Sequence, residues 1–532
     1  MNSVERKALK RKQVGLDGCK TKAKSRRAAL RKEQLKNRDL TKSRDMWKER
    51  HLSAKKELEE RALISTESQA AFINNQQIQL IMISLCINLV VNCSVSFNAV
   101  PKILALMNSL FKKLGLLFQF KIPHFTTVIN WNLRMGKYLL KSALVPCLAP
   151  WICVIDHTIQ IGTKKAFVVL KILQKDIQAH GALSLKQVEV LSLQVQEKSN
   201  GAIIETILEN IFQVVGYPIQ IVMDGGSDLN KGVQLMAQRM TPPFHITYDL
   251  THFIASLLKK KYADFPEFNQ LMSLLANSKN KIRQTLLAHL MPRKERSKSR
   301  FINLPSSAQW FEKMLTLLDS IPQESQQQSP SEQKLLEHFQ WILDQSDFLE
   351  AFLLEMRVIS ELQTLLKNTT LHEFSYKKAL KILQKMDDPD LRIPLQEYLE
   401  AAFEKAQHSP GPLLMFSDII ESLFGKYKFL VKPNAFSEIN RLILLLPVIC
   451  ENITPELTQV AFEQTQNKEV IQFQQDIGPS LLAKRKNDFK KHTHKKQEMA
   501  QIIPFSKQDN EPPLEHHYSN GQKMVGTKRV VG

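Results

Sequence analysis

The chain is poor in the features that mark secreted, disulfide-bonded or zinc-stapled proteins. Its 532 residues hold six cysteines, Cys19, Cys86, Cys93, Cys147, Cys153 and Cys450, and no CxxC pair. Scattered thiols of this kind exclude a disulfide or zinc framework and suit a reducing, cytosolic compartment. Apolar length is scarce near the N-terminus. The first long apolar run begins at Ile78, too late for a secretory signal. That run, 78–95, is the one candidate for a membrane span, and Gln79, Ser84, Asn88, Asn92 and Ser94 interrupt it. A buried core helix is therefore expected, and no membrane partner. No internal repeat is present. Acidic residues are too few to balance the basic ones: 52 Asp and Glu stand against 73 Lys and Arg, a formal charge of +21. Folding does not need that excess. It faces a polyanion or an acidic membrane surface, and nucleic acid is the commoner partner.

What is present divides the chain by texture. Hydrophobic residues make up 43%, enough for a sizeable core and several domains. Residues 1–60 carry twenty Lys and Arg against nine acids, so a basic tail and a charged helix over 42–64 are expected within a first region, 1–70. Residues 71–145 look helical. A helix over 122–140, opening after Pro123 with Thr126 or Thr127 as N-cap, shows Thr127, Asn130, Asn132, Arg134 and Lys137 on its polar face. Helix, glycine turn at Gly115 and polar-faced helix is the helix-turn-helix pattern, in which those five side chains would contact DNA. A plain helical domain shows the same pattern.

At residue 146 the pattern changes to short apolar runs. Strands are expected at 151–156, 165–172, 189–196, 219–223 and 244–248, with helices at 202–215 and 227–237. Together they form a core segment, 146–260. Residues 261–411 read as a helical insertion, 412–475 as a return to the core, and 476–532 as a basic, disordered tail.

Two of the strands end in aspartate, WICVID at Asp156 and IQIVMD at Asp224. A carboxylate at the end of a buried strand is costly to desolvate unless it is paired or holds a metal. Either alone also fits a turn or a helix cap. A third acid, Glu421, lies in SDIIESLFGKYK, a helix whose apolar face is Ile419, Ile420, Leu423, Phe424 and Tyr427. Lys428 follows seven residues later, close to two turns, and so shares a face with Glu421. On spacing alone an ordinary solvated Glu–Lys face accounts for that pair. Asp228 and Asp418 are reserve acids.

These residues resemble the DDE transposase and integrase superfamily. The order of three strands, helix, strand, helix, strand, with acids on the first strand, after the fourth, and on a late helix, is similar to its ribonuclease H-like core. YDLTH, with Asp249 and His252, resembles the D(2)H element of Mutator-like and hobo–Activator-like transposases. SDIIESLFGKYK is similar to the E(6)K signature of bacterial insertion-sequence transposases. Where the longer Y(2)R(3)E(6)K signature has Tyr and Arg, this chain has Leu414 and Ser417.

The resemblance implies an α/β fold: a ribonuclease H-like mixed five-stranded sheet interrupted by a mainly α-helical insertion, with an N-terminal helical DNA-binding region. It implies Asp156, Asp224 and Glu421 as ligands of two Mg2+ or Mn2+ ions, with His252 and Lys428 assisting at the phosphate. It implies DNA, as terminal inverted repeats and target, and a second copy of the chain as partners. Two other functions fit the same residues: a DNA-binding or inactive relative, and a metal-dependent nuclease that cuts without joining. Trp310 and Trp341, in the insertion, are read as core residues before base-stacking ones.

Overall fold

The computed structural model describes residues 75–502, apart from 117–118, 160–162, 181–182, 240–243, 293–299, 323–327, 410 and 433–437, and further residues at 30, 41, 44–49 and 52–53. The chain divides into two compact units, 1–76 and 77–532. In the first, residues 44–49 are helical, and most of the charged helix expected over 42–64 lies outside the described residues, as does the tail beyond 502.

Three helices precede the sheet, α1 (Asn75–Val91), α2 (Val100–Lys113) and α3 (Phe125–Ser142). The strands β1 (Trp151–Ile159) and β2 (Lys165–Leu173) form a hairpin, then come a short helix α4 (Gln174–His180) and β3 (Val188–Gln196). Helix α5 (Gly201–Val215) leads to β4 (Gln220–Met223), and α6 (Ser227–Arg239) to β5 (His245–Tyr248). The ends of α5 are set locally. Asn200 accepts a hydrogen bond from the Ile203 N–H (3.0 Å). Gly216 stops the helix at φ +95°, a value that disfavours residues with a Cβ.

Strand order is β3-β2-β1-β4-β5, with β1–β2 and β2–β3 antiparallel and β1–β4 and β4–β5 parallel. This is the mixed five-stranded sheet that the resemblance implies, and its strand order is compatible with a ribonuclease H-like core. Side chains alternate between its faces. Ile152, Val154, Val168, Leu170 and Val222 point into one core, while Cys153, Ile155, Val169, Ile221 and Met223 point into the other, with α5 and α6.

Beyond β5 a helical insertion builds its own core. It comprises α7 (Leu250–Tyr262), α8 (Pro266–Ile282), α9 (Leu304–Asp319), α10 (Pro330–Leu343), α11 (Ser346–Thr369), α12 (Glu373–Leu383) and α13 (Pro389–Gln407). Its core runs from Leu250 to Phe416, so it begins earlier and ends later than the expected 261–411. Helix α14 (Asp418–Val431) returns the chain to the sheet. Its Ile419, Ile420, Leu423, Phe424 and Tyr427 join the first core, each full burial stabilising by about 1.5–3 kcal/mol. Helices α15 (Leu445–Cys450), α16 (Pro455–Gln464) and α17 (Asn467–Ile477) complete this face.

Three expectations are corrected here. The N-terminal helices are not a separate domain: Met82, Cys86, Ile87 and Val90 of α1, and Val128, Leu133 and Met135 of α3, share one core with the sheet. That burial makes α1 a core helix, and no helix among the described residues is long and apolar enough to cross a membrane. The strand β1 does not stop at Asp156; its pairing with β2 carries it on to Ile159. Residues Leu481–Ile502, expected to be unstructured, form the helix α18, consistent with their wealth of helix-favouring Lys, Gln, Ala and Leu.

Candidate active site

The site starts from a register. In the parallel pair β1–β4, Ile155 lies opposite Met223. The next residue along each chain is an aspartate, Asp156 and Asp224, so the two stand side by side at about the 4.8 Å spacing of neighbouring strands. Alternation puts both on the face of Ile152, Val154 and Val222, the face that α14 covers. Each aspartate is braced by nearby backbone: Asp156 Oδ1 accepts from His157 N (2.6 Å), and Asp224 Oδ1 from Gly226 N (3.1 Å).

The third acid comes from α14. Glu421 Oε1 lies 3.2 Å from His252 Nε2, on α7. The hydrogen bond to Glu421 is the main reason that His252 is raised to about 9, and the same bond lowers Glu421. His252 therefore stays charged through neutral pH. One buried carboxylate holds both helices in place. Asp249 Oδ1 caps α7 by accepting from His252 N (2.9 Å), and its Oδ2 accepts from both the N–H and the hydroxyl of Ser417, the N-cap residue of α14. Nearby, the Gln220 side chain accepts from Leu414 N (3.0 Å) and donates to Leu414 O (2.7 Å). Leu414 and Ser417, which replace the Tyr and Arg of the longer signature, thus anchor the strand-like return to the sheet. Asp249 was legible as a helix cap; its second bond, 168 positions away, was not.

The electrostatics are those of crowded like charges. Asp156 is raised from 3.8 to about 7, first by burial, then by the charge of Asp224, and further by Glu421; the His157 N–H and the charge of His252 partly offset this. Its folded value thus lies above its unfolded value. The ionised form destabilises the fold, by nothing below about pH 4, by a growing amount between 4 and 7, and by a constant amount above. We expect Asp156→Asn, in metal-free buffer, to be more stable than the parent at pH 8, on the order of a few kcal/mol, and equal to it near pH 4. Urea unfolding across that range checks it. A gap that does not grow with pH would remove the crowding.

A divalent cation is the chemistry that such a donor set lacks. Hard oxygen ligands suit Mg2+ or Mn2+, and a cation would offset the burial and the Asp224 charge that raise the Asp156 carboxyl. Among the described residues no three His, Cys, Asp or Glu side chains form a ready metal cage. Asp156 and Asp224 are neighbours, while Glu421 is engaged by His252. The donor types fit the ion, with Glu421 Oε1 already engaged by His252.

The reserve acids have other partners. Asp228 is 3.1 Å from His157 Nε2, which faces the opposite core beside Phe167. Asp418 pairs with Lys367 at 2.6 Å. Lys428 lies on α14 as expected, and its charge contributes to lowering Glu421.

The base-reading face expected on α3 is corrected. The helix starts at Phe125, capped by His124 rather than by Thr126 or Thr127. Asn132 is fully buried and donates to Val128 O (2.8 Å). Arg134 donates to the carbonyls of Phe462 and Thr465 (2.7 and 2.8 Å) and stacks on the Phe462 ring at 4.2 Å. Lys137 lies 5.6 Å over Phe473. Those polar groups satisfy the chain's own backbone and rings. Thr127 and Asn130 are half-buried beside them. In the insertion, Trp310 and Trp341 pack in the core and donate to the carbonyls of Leu290 (2.6 Å) and His338 (3.0 Å).

No protein-family model matches the chain, and no curated protein matches it. Among solved structures the chain is similar to the Drosophila P element transposase strand transfer complex. Identity is 14%, the match covers 76% of this chain and 100% of that chain, and the TM-score is 0.37.

Proposed function

We propose that this chain is a DNA transposase that cuts the ends of a mobile element and joins them to target DNA by metal-dependent phosphoryl transfer. The observation that carries this reading is the β1–β4 register, which sets Asp156 beside Asp224 on the face covered by the helix of Glu421. Asp156, Asp224 and Glu421 would hold divalent cations. A pair of cations held there would supply charge stabilisation for the attacking and leaving oxygens of an in-line displacement.

The chain's own residues prepare that event. The sheet fixes two carboxylates without flexible linkers, which keeps their separation fixed. Asp249 sets the distance between α7 and α14. His252, held charged mainly by its bond to Glu421, neutralises that carboxylate and sets a cation beside the site, where it would meet a scissile phosphate. Lys428, two turns along α14, adds a second positive charge on the same helix face. Joining two ends calls for two active sites, so DNA and a second copy of the chain are the partners.

The test seeks inverted repeats flanking the gene and uses pre-nicked duplexes that end in them, with Mg2+. Joined products support the reading. Cutting without joining would replace it with a nuclease, and binding without turnover with a regulatory relative. A thermal melt gives an independent check. Mg2+ at about a hundred times its dissociation constant is expected to stabilise the parent by about 2.7 kcal/mol. Asp224→Asn should lose most of that gain; a gain kept in full would disconnect the aspartates from the ion.

A further inference from the structure

The inward turn of α3 leaves open which surface meets DNA, and the far end of the chain supplies one. Helix α18 has the sequence LLAKRKNDFKKHTHKKQEMAQI, with seven Lys and Arg against two acids over its 22 residues. Charge lies all round it, so it lacks the apolar stripe by which a helix packs on a core. Of its described side chains, from Leu481 to Lys491, none is buried. A polar helix of this kind is stabilised by what binds its charges.

The foot of α18 is firmly fixed. Lys164, 2% exposed, pairs with buried Glu438 (3.6 Å) and donates to the carbonyls of Gly478 and Pro479 just ahead of the helix (3.4 and 2.8 Å). Lys484, in the first turn, pairs with Glu197. Lys164 precedes β2 and Glu197 follows β3. Ile159 pairs with Lys165, which pairs with Gln196. The foot therefore sits at the end of the sheet that carries Asp156 and Asp224. Asp156 lies three residues back along β1 and two strands across, roughly 15 Å away by strand spacings. The helix is about 33 Å long at 1.5 Å per residue, close to one turn of B-DNA.

We propose that α18 is a duplex-DNA contact that grips the phosphate backbone beside the cleavage site, independent of base sequence. It rests on the transposase reading for its role, and on charge and placement for its ligand. Arg485, Lys486 and Lys491 are exposed, and Lys495 and Lys496 continue the same charge run.

The experiment compares the full chain with Arg485→Gln/Lys486→Gln/Lys491→Gln/Lys495→Gln/Lys496→Gln, which keeps the Lys484 and Lys164 anchors. A fluorescent 30-base-pair duplex of arbitrary sequence is titrated at several salt concentrations. Each phosphate neutralised contributes about 0.9 to the slope of log affinity against log salt, so the slope should fall by about four and affinity at 0.1 M salt by at least tenfold. Cleavage at saturating DNA should be preserved, placing the loss in KM. A control, Lys377→Gln/Lys378→Gln/Lys381→Gln, removes exposed charge from the insertion and should leave the slope unchanged. An unchanged slope in the five-site variant, or an equal loss in the control, overturns the proposal. So does a variant that loses binding to phosphatidylserine vesicles while duplex binding is unchanged. If the variant does not fold, a photo-crosslinking residue at position 486 of an otherwise unchanged chain decides: a crosslink to duplex supports the contact, and none overturns it. Glu421→Gln should bind with the parental slope. A parent that neither cuts nor joins, alongside a reduced slope in the five-site variant, would sink the transposase reading and leave the DNA contact standing.

Discussion

Asp156→Asn, Asp224→Asn and Glu421→Gln are each expected to lose Mg2+-dependent end cleavage by about a thousandfold or more, while duplex affinity changes little. The size follows from the work assigned to them. A metal contributes several kcal/mol of charge stabilisation in phosphoryl transfer, and each 1.36 kcal/mol is a factor of ten in rate. All three substitutions keep side-chain volume. Asp156→Asn also relieves the crowding, so its loss of cleavage should accompany a gain in metal-free stability, a pairing that damage to the fold cannot produce. The reserve acids provide the contrast. Asp228 faces the opposite core with His157, and Asp418 is paired with Lys367. Asp228→Asn and Asp418→Asn should cleave within about threefold of the parent, below half a power of ten on the same scale. Single-turnover cleavage of a labelled end measures all five. An Asp156→Asn chain at parental rate, or an Asp228→Asn chain as dead as the others, would move the active site.

Gly136→Ala is expected to be the most destabilising of the glycine-to-alanine changes around the sheet, by about 3 kcal/mol or more. A Cβ at Gly136 would lie 1.9 Å from Leu444 O and 2.8 Å from Leu444 C. Those atoms are backbone, so no rotamer change clears the way. The close approach lets α3 lie flat against the segment leading into α15, beneath the sheet face that holds the aspartates. Gly425 is the counterpart: a Cβ there meets nothing within 4 Å, in the middle of α14. Gly425→Ala should stabilise by about 0.5–1 kcal/mol through helix propensity. Melting temperatures of the two variants should therefore move in opposite directions; a shared direction would contradict the packing at residue 136.

Much of the sheet was legible because its signals are local. KAFVVLKIL and IQIVM are dense in apolar and β-branched residues, the second set between Pro218 and Gly225, and the expected ends fall within a residue or so of the observed strands β2 and β4. β1 was cut short because Asp156 reads as a stop; in the sheet, its neighbour Val168 on β2 extends the pairing past it. Helix α3 was misassigned for a different reason. Periodicity reports that one face is polar and says nothing of what that face meets. Arg134 and Lys137 are spent on the ends and rings of α16 and α17, more than 300 residues downstream, as is plain from Arg134 bonding to Thr465. The Glu421–His252 bond and the double use of Asp249 were out of reach for the same reason: their partners are joined through the insertion and not along the chain.

The latch between Asp249 and Ser417 has a consequence in time. The strand that ends beside α7 is made 168 residues before the residue that locks onto it. At roughly 5–20 residues per second, a ribosome takes on the order of ten to thirty seconds to cover that distance. During that interval a newborn chain owns its sheet and both aspartates, yet has no glutamate to set against them. On the transposase reading, chemistry would wait for the whole insertion to be threaded and docked, and a chain whose synthesis stalls midway would be born unable to cut.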